Sequence, residues 1–95
     1  MATRVHKYQP VRKHLGEQRW SIPAAVLEIN NILGRPGEIT IGHLHYTSRG
    51  IVPPSPALRE GLPILLGVPL EELFDADLLA REWSGHRDRY FGSGS

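Results

Sequence analysis

Chemistry in this chain would have to come from its five histidines or its acids. Histidine is the commonest metal ligand and a frequent general base. His43 and His45 are two residues apart, however, and on a helix they point about 200° apart, so both cannot bind one ion. His6, His14 and His86 have no carboxylate at ligand spacing beside them, whereas a zinc site needs three or four converging groups. The absence of cysteine removes thiolate sites and disulfides, so folding rests on packing alone. There is no Gly-rich phosphate loop and no nucleophile elbow, and the pair Glu71-Glu72 most simply complements a helix N-terminus. Neither enzymatic activity nor a metal or other cofactor is expected.

Recognition is the chemistry that remains, and Glu38-Ile-Thr-Ile-Gly-His-Leu-His-Tyr-Thr-Ser-Arg-Gly50 is the stretch whose residue types favour it. Thr40 is a good N-cap and Gly50 a good stop, which predicts a short helix between them. A helix that enters the major groove of DNA needs short or polar side chains on its outer face, so that base edges are reachable. Gly42, His45 and Tyr46 meet that need, and Ile41 could touch a thymine methyl. Ile39, Ile41 and Leu44 form the other face, with Ile41 and Leu44 as the inward pair. The alternative is that His43, His45 and Tyr46 lay their rings over the core and keep only polar edges in water.

Helices on either side must hold that segment. Val11, Leu15 and Trp20 predict a first helix over about 10–19, weakened by Gly16. Ser21 caps a second, with Pro23 in its first turn and Ala25, Val26, Ile29, Ile32 and Leu33 at helical spacing until Gly34. Arg35-Pro-Gly-Glu38 is a turn, and Ile51 to Pro54 is extended because prolines restrict the residues before them. Ser55 caps a further helix with Pro56 at its first position and Leu58, Leu62, Leu65 and Leu66 on one stripe, ended by Gly67. Pro63 lacks the N–H for the Arg59 carbonyl, a defect of about 3 kcal/mol in a regular helix, so a break or kink near Gly61 is expected. Pro69 starts a short helix through Leu73, and Asp75 caps a last one with Leu78, Leu79 and Trp83 on a common face. The expected architecture is all-α, with five to six helices.

A chain of 95 residues supports one core, and 22% charged residues is ordinary for a soluble globular protein. No apolar run is long enough to span a bilayer, and the N-terminus is too polar for a secretory signal, so a cytoplasmic location is expected. Phe91-Gly-Ser-Gly-Ser95 reads as a flexible end, and residues 85–95 are set aside as a tail. The net charge of +1 hides an asymmetry: residues 1–50 carry seven Lys/Arg against three Glu, and residues 51–95 four Arg against seven acids. Such a dipolar molecule can turn its basic half toward phosphate.

In order and spacing, the Thr-capped helix with its terminal glycine, the Pro54-Ser-Pro56 start and the Leu66-Gly-Val-Pro-Leu-Glu-Glu-Leu73 finish resemble the last three helices of a Cro/CI-type helix-turn-helix domain, the XRE family. The resemblance covers about residues 11–74 and implies a compact lambda-repressor-like helix-turn-helix domain. In it, Ser21 to Leu33 is the first helix of the motif, Thr40 to Arg49 the recognition helix, and Ser55 to Phe74 supplies packing helices. It further implies a transcriptional regulator, in particular a repressor, that binds a palindromic operator as a dimer. Contacts to bases and phosphates then fall to Thr40, Ile41, Gly42, His45, Tyr46 and Arg49, with Leu44 at the family's buried position. The chain departs from the family in its longer turn between the two key helices, in Thr47 where an aliphatic residue normally packs, and in Gly61 with Pro63. The longer turn is similar to that of XRE-type regulators of actinobacteria and their phages.

The same fold can instead serve protein contact, as in an antirepressor or a host-factor binder, because fold alone does not fix function. Low net charge and the irregular fourth helix favour protein contact, whereas the Thr40 to Gly50 spacing and the basic N-terminal half favour double-stranded DNA. Arg4 and Lys7 in a basic arm over residues 1–10, with the Arg12-Lys13 pair that follows it, are four cations with no acid among them, expected to lie along phosphate or enter a minor groove. Leu78, Leu79 and Trp83 form an apolar stripe on a helix over 75–84 that either makes a homodimer or docks on its own domain.

Overall fold

The computed structural model of the chain describes residues 7–83. Arg4, His6, His86 and the tail expected over 85–95 lie outside the described residues. Five α-helices follow in order, α1 Val11–Glu17, α2 Ile22–Leu33, α3 Ile41–Ser48, α4 Pro56–Leu66 and α5 Ala76–Ala80, with a 3-10 turn at Leu70–Glu72 before the last. No strand occurs among the described residues, and the fold is all-α as the sequence predicts. No helix among them is long and apolar enough to cross a membrane.

Short-range hydrogen bonds fix where the helices begin and end. The side chains of Ser21, Thr40 and Ser55 accept from the backbone N–H of Ala24, His43 and Leu58, and each such cap contributes about 1 kcal/mol. At the end of α2, Gly34 takes φ 69°, which turns its own N–H and that of Arg35 back onto the carbonyls of Asn31 and Asn30. α1 closes in the same way without a glycine. Arg19 holds φ 63°, and the N–H groups of Arg19 and Trp20 return to Gly16 and Leu15.

α2 is the central helix, packed on both α3 and α4. Its Ala25, Val26 and Ile29 share one core with Val11 and Leu15 of α1, Leu44 of α3, and Leu58, Leu62 and Leu66 of α4. Gly61 permits the close approach of α4 to α2, since a Cβ there would stand 2.5 Å from Cγ2 of Ile29. Of the break or kink expected near Gly61, the break does not occur. α4 is one helix from Pro56 to Leu66 with Pro63 inside it, because burial of Leu58, Leu62 and Leu66 at roughly 1.5–3 kcal/mol each outweighs the proline defect. The N–H of Gly67 then bonds the Pro63 carbonyl and closes the last turn.

The C-terminal end also differs from expectation. Asp75 stands at the N-cap of α5 but its side chain does not cap; the carboxylate lies 3.4 Å from Lys7 Nζ instead. α5 stops at Ala80, so Trp83 is beyond the helix rather than on its apolar face. Leu78 is buried in the chain's own core and Leu79 packs half-buried against it. The guanidinium of Arg59 explains the early stop: it donates to the carbonyls of Pro54, Leu79 and Arg81, giving the helix end partners and tying it to α4. The stripe of Leu78, Leu79 and Trp83 is therefore not the free apolar face that motivated a dimer.

Candidate nucleic-acid interface

α3 divides sharply into two faces. Leu44, Thr47 and Ser48 are fully buried, and at 3.6 residues per turn they share an arc about 100° wide. Gly42, Tyr46 and Arg49 project from the opposite side, with His45 at its margin. The two buried hydroxyls are satisfied within the helix, Thr47 Oγ1 donating to the His43 carbonyl at 2.6 Å and Ser48 Oγ to the His45 carbonyl at 2.8 Å. Thr47 thus fills an aliphatic position without leaving a polar atom stranded.

The expected inward pairing of Ile41 with Leu44 does not form. Ile41 sits about 70° from the centre of the buried arc, in the open first turn, and is 52% exposed. Ile39, ahead of the cap and 2% exposed, takes the core position instead. Its placement comes from Asn30, a buried side chain on α2. Asn30 Oδ1 accepts from the Ile39 N–H at 2.9 Å and Asn30 Nδ2 donates to the Ile39 carbonyl at 3.0 Å. This two-bond clamp fastens the long turn at the residue before Thr40, so α3 enters at a fixed position despite seven intervening residues of loop, 34–40.

Two further ties hold α3. The Ser55 N–H donates to His43 Nε2 at 3.0 Å, which joins α3 to the start of α4, and the His43 ring meets the Trp83 ring edge-on at 4.8 Å. His43 is a positioning residue, and His43 and His45 face different surroundings as their spacing predicts. At the other end Gly50 has φ 78°, and the Ile51 N–H bonds the Tyr46 carbonyl. Any Cβ on Gly50 would collide with the carbonyl of Lys7, because the chain before α1 crosses there.

That crossing changes the picture of a basic arm. Gln9 is 4% exposed and fastens residues 7–10 to the domain: its N–H donates to the Ser48 carbonyl, its Nε2 to the Lys7 carbonyl, and its Oε1 accepts from the Asp75 N–H. The Val11 N–H bonds the Leu73 carbonyl. Residues 7–10 are therefore part of the folded body. Tyr8, 57% exposed, stands beside the end of α3, with the Arg12 guanidinium 4.4 Å and the Arg49 guanidinium 5.8 Å from its ring centroid. Lys13 is exposed on α1.

Of the residues singled out from sequence, Thr40, Ile41, Gly42, His45, Tyr46 and Arg49 lie on the accessible part of α3 and its caps, and Arg12 joins Arg49 through Tyr8. The Thr40 hydroxyl is engaged as the cap of α3. Lys7 is paired with Asp75. Nothing lies within 4 Å of a Cβ built on Gly42, so packing does not require glycine there. Among the described residues, no group of three His, Asp or Glu side chains could hold a metal ion. Sequence reasoning passed over Asn30, Gln9 and Tyr8. Only Tyr8 carried a signal, an aromatic ring between the cations Lys7 and Arg12. Comparison of the chain with protein families, curated proteins and solved structures gives no match.

Proposed function

We propose that this protein binds double-stranded DNA in a sequence-specific way and regulates transcription, reading the major groove with the outer face of α3. Ile41, Gly42, His45 and Tyr46 meet base edges in this reading, and Thr40 and Arg49 flank them at the phosphates. The observation that carries it is the make-up of that face. On a helix held at both ends by Asn30, His43 and Gly50, the side chains of His45 and Tyr46 form no hydrogen bond within the described residues, and Gly42 leaves the backbone open. A glycine in a first helical turn weakens the helix by roughly 0.5 kcal/mol, the low end of its usual cost, with no packing gain here. Close approach by a partner gives it a purpose.

Arg12, Lys13 and Arg49 supply the cations for phosphate, joined by Lys7 when it exchanges Asp75 for the DNA backbone, and a repressor of this type would act in the cytoplasm. A fluorescence anisotropy titration with random duplex tests the reading. With four phosphates engaged, affinity falls roughly a hundredfold between about 50 and 200 mM salt, and selection from a random duplex library yields a preferred sequence. Binding that is absent, or indifferent to salt, sinks the proposal. A protein partner is the second reading, favoured by the exposed Leu27 of α2 and Ile64 of α4. A second copy on a palindromic operator would have to meet the first through surface other than Leu78.

A further inference from the structure

We infer that Tyr8, Arg12 and Arg49 form a composite phosphate-holding site that grips the DNA strand beside the groove read by α3; this rests on the DNA-binding reading above. Two like charges gathered at one ring repel each other, and the electron-rich ring offsets that only in part. A carboxylate would be the ordinary remedy inside a protein. None serves here: among the described residues neither Arg12 nor Arg49 has an ion pair, and the nearby Asp75 is taken by Lys7 and Gln9. The Tyr8 ring draws both guanidiniums to one place, 4.4 and 5.8 Å from its centroid, and takes none of their N–H groups as a hydrogen bond to a carboxylate would, which suits a phosphate better than a diffuse positive patch does.

Position supports the same assignment. Arg49 follows His45 and Tyr46 by one helical turn, so the cluster continues the outer face of α3 at its C-terminal end. Gln9 holds Tyr8 there through the Ser48 carbonyl and the Asp75 N–H, which makes the site a rigid part of the domain and not a searching arm. Tyr8 is then a positioning residue, and the partner atoms are the non-bridging oxygens of a duplex backbone.

The test uses the full chain, a fluorescent random duplex and a duplex selected by the protein, each titrated over a range of salt. Tyr8→Ala should weaken binding to both duplexes alike by about fivefold, and Tyr8→Phe, which keeps the ring, by less than about twofold. The double change Arg12→Gln with Arg49→Gln should lower the salt slope by about two, and Tyr8→Ala should add little on that background. Circular dichroism melts check folding; if Tyr8→Ala unfolds early, the slope of the double arginine variant decides. Wild-type binding with a slope unchanged by the arginine changes overturns the phosphate site and leaves groove reading by α3 intact. A wild type that binds no duplex overturns both, whereas a His45→Ala, Tyr46→Ala variant with full sequence preference overturns only the reading helix.

Discussion

Two helical glycines should respond in opposite ways to the same substitution. At Gly61 an added Cβ would lie 2.5 Å from Ile29 Cγ2 and 3.7 Å from Leu33 Cδ1, inside the α2–α4 contact. Overpacking of this kind costs about 1–3 kcal/mol, against which alanine returns up to about 1 kcal/mol of helix propensity. Gly61→Ala should therefore lose about 1–2 kcal/mol net, a drop in Tm of roughly 4–16 °C for a domain this small. At Gly42 a Cβ meets nothing within 4 Å, and the first-turn position recovers roughly 0.5 kcal/mol, or about 2–4 °C. Differential scanning calorimetry of the two variants beside the wild type reads both shifts directly. Equal signs would refute the reasoning: two stabilised variants mean that α2 and α4 are not in contact at Gly61, and two destabilised ones mean that the outer face of α3 is covered within the chain. Gly42→Ala should also weaken duplex binding while it stabilises the fold, which separates approach to DNA from stability.

Asn30→Ala leaves the Ile39 N–H and carbonyl buried without partners at roughly 1–3 kcal/mol each, so the urea midpoint should fall by about 1 M or more; a loss no greater than that of exposed Asn31→Ala would show that the clamp is not needed. Arg19→Gly relieves a left-handed backbone that disfavours L side chains by about 1–2 kcal/mol, and after the extra chain entropy of glycine it should gain about 0.5–1 kcal/mol, whereas Arg19→Val should lose stability. Arg49→Ala should weaken all duplexes alike, while His45→Ala and Tyr46→Ala should each flatten preference for the selected sequence by about 1–3 kcal/mol. Parallel titrations of selected and random duplex distinguish the two patterns. Sedimentation of the DNA-free protein at high micromolar concentration should show no dimer that Leu78→Ala abolishes without also lowering stability, because Leu78 belongs to the chain's own core.

The boundaries of α2, α3 and α4 were legible in the sequence because caps act over three or four residues. Ser21, Thr40 and Ser55 reach N–H groups three positions on, and Gly34, Gly50 and Gly67 adopt the left-handed turns that end α2, α3 and α4. Spacing alone also put Leu44 inside and Gly42, His45 and Tyr46 outside. Burial, in contrast, depends on which neighbour arrives. Ile41 and Ile39 are equally apolar, yet Asn30 draws only Ile39 into the core. Gly42 and Gly61 are the same residue in the same kind of element, and only the position of Ile29 tells them apart.

The local defect at Pro63 and the apolar stripe at Leu78 follow the same division. Sequence announced a weak point and a surface in need of cover, and tertiary packing answered both, through the buried leucines of α4 and the reach of Arg59 to the end of α5. By itself, then, the sequence determined an all-α chain, the starts and stops of α2, α3 and α4, and the side chains offered by α3. Only the tertiary structure decided how α3 is held and that Tyr8, Arg12 and Arg49 meet. The reason is range: Gln9 must find Asp75, 66 residues away, to bring Tyr8 beside Arg49, and no periodicity along the chain encodes such a pairing.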